Sequence, residues 1–348
     1  MRFHACEDAA MRDVTSTGPA PSRRLVTAGA LGAVVAALSG CGIRLEDDAP
    51  HVPLVPTRSP IDGEDALLRL LAALQSAALA PVDPKVTISA LLAPLHGRQA
   101  TVLHDALRQR GVPEGELPAA TPSPTSSASG SPSPSAAVSP SPSVPVAPAP
   151  LATVEGTIVA AGKGCEAAEA ELRPTLLAVL AQAHAALGLA TPTGTASTVA
   201  PSASPSAAAA WSTPAVLAPV ITAVRTASYF LEIAAARSDV AVRKVWTAHL
   251  AELHSLTAEL VEAAGDAAPA PELGLPLPHP VTTPAASATL ATEAMATLLG
   301  AFGAALPMLS AADADAATVF ATVPSWLGTV AALAQRHGIP LSAFPGLA

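Results

Sequence analysis

Four side chains make the strongest case for chemistry in this sequence of 348 residues: His96, His104, His249 and Glu252. His249 and Glu252 lie one helical turn apart, and His254 and Glu259 follow on the same stretch, so imidazole and carboxylate would share one edge of a helix. That pairing suits a metal ion or a proton relay. The apolar positions Val242, Trp246, Leu253, Leu256 and Leu260 alternate spacings of four and three, and His249 falls on their seam. A hydrogen-bonded core histidine with Glu252 and Glu259 at a solvated edge is therefore the favoured reading.

His96 and Gln99 fall near a second seam, formed by Ile88, Leu92, Leu95, Val102 and Leu103. His104, eight residues beyond His96, is turned about 80° around the helix, so one helix alone cannot close a site; a metal would need a partner helix such as that of His249. A buried polar spot that fixes helix register is the favoured use of His96 and Gln99. His184 shares a stripe with Leu177, Leu180 and Leu187, and Glu232 a face with Arg225 and Tyr229. Cys165 follows Gly162-Lys163-Gly164, and a nearby cation lowers a thiol pKa, but a small buried residue is the simpler reading. The glycines lack phosphate-loop spacing, and neither G-x-S-x-G nor C-x-x-C occurs. No catalytic residue and no cofactor is expected.

The elements that must hold these residues are helices. Ala supplies 82 residues and Pro 36, while aromatics make up 3% and charged residues 13%. Sheets need β-branched and aromatic residues in period-two runs, whereas Ala and Leu are strong helix formers. Leu67, Leu68, Leu70, Leu71 and Leu74 stripe a first helix to about Ala80, with Asp62 as its expected cap. Asp83-Pro84 starts a second, which contains Pro94 and stops at Gly111. Residues 153–189 are helical, interrupted by Gly162, Gly164 and Pro174. Further helices are expected over Pro214–Ala236, Asp239–Ala264, 285–306 and 311–337, with Gly338 as the last stop.

Pro/Ser/Ala-rich inserts are expected to be disordered, because such segments cannot bury enough surface to offset ordering entropy. The chain thus divides into 1–40, a tether over 41–60, a helical hairpin over 61–111, a linker over 112–152, the helical segment 153–189, an insert over 190–213 and a C-terminal helical region over 214–340. Short loops make the first and second, fourth and fifth, and sixth and seventh segments antiparallel hairpins. One bundle, or two smaller bundles split at the second insert, would satisfy this pattern.

The N-terminal segment carries an address. Arg23-Arg24 precedes an apolar run from Leu25 to Leu38, too short to span about 30 Å of hydrocarbon stably, and Leu38-Ser39-Gly40-Cys41 follows. The combination resembles a bacterial lipoprotein signal. It implies a diacylglycerol on the Cys41 thiol, cleavage before Cys41 and acylation of the new N-terminus. The paired arginines also resemble a twin-arginine export signal; this route and the general secretory route both stay open, as does a start at Met11. No later segment reaches 18 uninterrupted apolar residues, so the mature chain is expected to be soluble and tethered to the cytoplasmic membrane on its extracytoplasmic face. Residues 41–348 carry 14 Lys+Arg and 24 Asp+Glu, a net charge of −10. No nucleic-acid partner is expected at that charge. Cys165 is then the lone free thiol, which precludes an intrachain disulfide.

The segments GIRLEDDAPHVPLVPTR, LLAPLHGRQATVLHDALRQRGVP and VRTASYFLEIAAARSDVAVRKVWTAHLAELHSLTAEL together resemble actinobacterial lipoproteins of unknown function with a ferritin-like helical domain. The resemblance covers about half the mature chain and rests on helical patterns, not on a catalytic motif. It implies an all-α, ferritin-like up-down bundle with extra helices. Di-iron members of that class use two glutamates and two Glu-x-x-His pairs, yet no Glu here has His three residues later. The expectation is a lipid-anchored bundle with a structural or binding role toward an envelope protein. Its alternatives are a metal-handling protein with atypical ligands, drawn from His96, His104, His249 and Glu252, and a ligand-binding lipoprotein serving a transporter.

Overall fold

The computed structural model describes residues 58–81, 86, 88–119, 150–190, 211–272 and 274–347. Arg23, Arg24, Leu38, Ser39, Gly40 and Cys41, the Asp83-Pro84 start and most of both Pro/Ser-rich stretches lie outside the described residues. Among the described residues all regular structure is helical, in eight α-helices joined by short 3-10 turns. They are α1 (Glu64–Ala78), α2 (Ser89–Gln109), α3 (Leu151–Ala161), α4 (Arg173–Ala190), α5 (Ala218–Ala236), α6 (Val240–Ala264), α7 (Pro284–Leu309) and α8 (Ala316–Arg336).

Local chemistry sets their ends. Asp62 does not cap α1: Gly63 takes the left-handed conformation at φ 71°, and the Ile61 N–H donates to Glu64 Oε2 at 2.9 Å. A contact from the first helical residue back to the Ile61 N–H thus stands where an aspartate cap was expected. The helical stretch after the first insert is two helices, because the chain turns at Gly162 to Gly164 before re-entering at Arg173. Pro284 opens α7 behind Thr283, whose hydroxyl accepts from the Ala286 N–H. At the end of α8, Gly338 adopts φ 88°, and the Ile339 and Gly338 N–H groups reach back to the Ala334 and Gln335 carbonyls. This is the six-to-one closure that a glycine permits.

Contacts between helix ends fix the topology. Gly63 lies against Ala167 and Ala168, Arg110 pairs with Glu169 at 2.7 Å, Arg173 bonds the Ser310 carbonyl and Asp313, and Asp315 accepts from the Ser212 N–H and hydroxyl. These contacts bring the starts of α1, α4, α5 and α8 and the ends of α2 and α7 to one end of the fold. The end of α1 and the starts of α2 and α3 meet at the other, where Arg336 of α8 also bonds the Gly188 carbonyl of α4.

Two four-helix sets of the same connectivity result. In each, an antiparallel hairpin (α1–α2, α5–α6) is followed by a connection to the opposite end and then a second antiparallel pair (α3–α4, α7–α8). Residues 265–283 make that connection in the second set; Arg225 of α5 and Arg237 just past its end hold its Pro269 and Val281 carbonyls. Both sets belong to one compact unit, 59–348. The sets stay joined, because α4 and α8 run parallel and pack extensively. Gly328 of α8 sits so close to α4 that a Cβ there would meet the Cβ of His184.

The helices bury two apolar cores, and α4 contributes to both, with Leu177, Ala178 and Ala181 in the second. Leu67, Leu71, Leu74, Leu107, Ile158 and Leu176 fill the first, and Val224, Leu231, Leu253, Leu260, Met295, Leu298, Phe302 and Leu327 fill the second. The α2 seam differs from expectation: Ala100 and Leu107 are buried, whereas Val102 points outward. After α8 the chain folds back as a tail over both sets. Ala343 is buried, Phe344 packs on both cores, and Gly346 meets Gly303 of α7 backbone to backbone. By length and composition, three helical segments among the described residues, Pro214–Ala236, Pro284–Leu309 and Asp313–Arg336, are long and apolar enough to cross a membrane. In the fold their apolar faces form the second core.

Candidate functional site

Two histidine-centred clusters occupy equivalent helices of the two sets. In the first, His96 and Gln99 on α2 face Glu155 on α3 and Gln182 on α4, all four fully buried. Gln99 Nε2 donates to the Ala343 carbonyl of the tail and to Gln182 Oε1, which fixes the orientation of its amide. Gln99 Oε1 therefore faces His96 Nδ1 at 3.1 Å, so that nitrogen carries hydrogen. A single proton is left to bind His96 Nε2 to Glu155 Oε1 across 2.9 Å. Glu155 Oε2 and Gln182 Nε2 make no hydrogen bond within the protein. His96 and Glu155 also line a cavity of about 20 Å³ with Ala77, Pro81, Ser89 and Leu92, room for one water-sized group.

In the second cluster, His249 on α6 and His337 just past α8 are buried, with His249 Nδ1 3.0 Å from His337 Nε2. The rings meet edge to face, and Trp246 lies against His337. Arg336 donates to both oxygens of Glu252, at 3.0 and 3.1 Å. Glu259, expected at a solvated edge, accepts from the Trp326 indole at 2.9 Å. Burial first, then the charges of His337 and Arg336, push the His249 pKa down to about 4. Burial and Arg336 do the same to His337, also to about 4.

Both imidazoles are therefore neutral in the folded chain at pH 7. Unfolding returns them to the ordinary value near 6.5, so the unfolded chain binds more protons below that pH. Their contribution to stability is complete above about pH 6.5 and is lost as pH falls toward 4. The melting temperature is expected to drop across this window, and His249→Leu to flatten the drop; an equal slope in the variant would contradict the assignment.

The four sequence candidates are not brought into one site. His96 joins Glu155, and His249 and Glu252 join α8. His104 is half-exposed and pairs at 3.4 Å with Asp105 and with Glu114. The partner helix expected for His96 is α3, not α6. Cys165 is buried, and burial with the adjacent Glu166 pushes its pKa up to about 12 against the lowering effect of Arg69. It is a protonated core thiol, unsuited to nucleophilic chemistry. Glu232 pairs with His254 on the surface.

Glu155, Gln182, Arg336 and His337 were not singled out from sequence. A faint signal exists for three of them. His96-x-x-Gln99 and His249-x-x-Glu252 are 153 residues apart, as are Leu180-Ala181-Gln182-Ala183-His184 and Leu333-Ala334-Gln335-Arg336-His337. The common offset marks both the second and the fourth helix of each set.

Chemically, both clusters tie helices together. Among the described residues no three His, Cys, Asp or Glu side chains gather so as to hold a metal ion. Compared with known proteins, the chain matches no family model, no curated protein and no solved structure.

Proposed function

We propose that this chain is a lipid-anchored protein on the extracytoplasmic face of the cell membrane, with a ferritin-like bundle serving a structural or binding role toward a partner in the envelope. The observation that carries the reading is the sequence Arg23-Arg24, the apolar run Leu25–Leu38, and Leu38-Ser39-Gly40-Cys41. Support for the ferritin-like type comes from the connectivity of α5–α8, in which one long crossover joins two antiparallel pairs. The interior of that set favours a scaffold over a di-metal centre. Val224, Leu231, Leu253, Leu256, Met295, Leu298 and Leu327 fill the centre that inward-facing glutamates would occupy in a di-iron protein.

Cys41→Ala is the direct test in cells. It is expected to leave unprocessed precursor and to move the protein out of the detergent-phase lipoprotein fraction. Unchanged processing and partitioning would overturn the anchor.

A further inference from the structure

The inward seam of α6 does not stop where the bundle stops. From Leu260 through Leu256 and Leu253 to His249 it is buried, and Trp246 is half-buried against His337. One turn earlier the same face carries Val245 and Val242, which reach solvent: Val245 is 48% exposed, Val242 38%, and Val240 at the helix start 81%. Three of the eight large apolar side chains exposed among the described residues thus fall within six positions. Apart from Trp246, the other residues from Asp239 to Ala248 are exposed as well.

The polar residues around this tip are mostly cationic. Arg237, Arg243 and Lys244 surround it, against one acid, Asp239, in a chain whose net charge is −9. Arg243 braces the turn by donating to the Ala235 and Ser238 carbonyls, so the tip is held rigidly with Lys244 outward. Exposed branched apolar side chains bordered by Lys and Arg are the pattern of an element that lies in the headgroup region of an anionic bilayer. A partner helix would need a continuous apolar stripe, and here the stripe is two turns long.

We propose that the N-terminal tip of α6, Val240 to Val245 with Lys244 and Arg237, docks on the anionic lipid surface to which the chain is anchored. This rests on the membrane location proposed above. Residues 41–60, if fully extended, would span at most about 70 Å, and α6 is about 37 Å long. A lipid at Cys41 therefore permits contact at the end of the bundle opposite the start of α1. Docking there would seat the bundle on the bilayer and turn its other end outward.

The test is flotation of the mature chain carrying Cys41→Ser, which has no lipid, with phosphatidylglycerol vesicles and with phosphatidylcholine vesicles. The expected result is flotation with the anionic vesicles, weaker in high salt and weaker with the neutral ones. Val242→Asp with Val245→Asp should reduce binding about ten-fold while the helical circular dichroism spectrum is kept. Lys244→Ala should reduce it several-fold. Absence of flotation, or equal flotation of the variants, overturns the proposal, as does a dimer that the double aspartate variant converts to monomer, which would give the face to a second copy. Because Cys41 is absent from this assay, its failure leaves the anchor to be judged by the mass of the mature N-terminus.

Discussion

His96→Ala is expected to destabilise the fold by about 3–5 kcal/mol, the cost of stranding a buried charge or polar network by removing one partner. The substitution deprives Glu155 of its one hydrogen bond within the protein and leaves Gln99 Oε1 facing a void. Against a total stability of about 5–15 kcal/mol, the melting temperature should fall by roughly 10 °C. Replacing both His96 and Glu155 with Leu removes donor and acceptor together, and the double variant should recover most of the loss. Thermal unfolding of the two single variants and the double one completes the cycle. A His96→Ala variant within about 1 kcal/mol of the native chain would mean that the network does not hold α2 to α3.

The second large effect is expected at the tail. Gly303 and Gly346 approach so closely that a Cβ on Gly303 would overlap the Gly346 carbonyl, and one on Gly346 would stand 2.8 Å from the Gly303 Cα. Gly346 also holds φ 80°, a conformation costly to any residue with a side chain. Gly303→Val should therefore lift residues 340–347 away from the helices. The Gln99 amide then loses the Ala343 carbonyl, and Phe344 leaves both cores. The expected cost is about 2–4 kcal/mol, with rapid hydrogen exchange confined first to the tail. Exchange unchanged in the tail would show that α7 can move aside.

The physics separates what could be read from sequence from what could not. Helix existence followed from Ala and Leu content, and boundaries followed where a residue has a backbone preference of its own: Gly111 and Gly338 mark ends that the structure keeps. Asp62 misled because a left-handed Gly63 moved the helix start by one residue and gave the capping contact to Glu64. His96 and His249 were legible as seam histidines, since a spacing of three and four reports one helix's own face. Their partners were not, because Glu155 and His337 come from helices 59 and 88 residues away in sequence. Periodicity says which face is inward and is silent on what it meets. Val242 shows the same limit from the other side: it has the seam spacing, yet α8 ends below it and leaves it exposed.

The fold also explains how so small an average side chain builds a core. Close approaches at Gly328 and at Gly303 against Gly346 bring backbones together, and alanines such as Ala178, Ala181 and Ala185 fill the space between α4 and its neighbours. Apolar area is then gained through proximity instead of bulk, and the polar clusters supply the directionality that methyl groups lack.

The central claim is a lipid on Cys41, and the mass of the mature N-terminal peptide tests it most directly. The mature chain is expected to begin at Cys41 and to carry a thioether-linked diacylglycerol, with or without a further acyl group on its amine. A mature chain that begins elsewhere, or an unmodified Cys41 within an intact N-terminal segment, would contradict it.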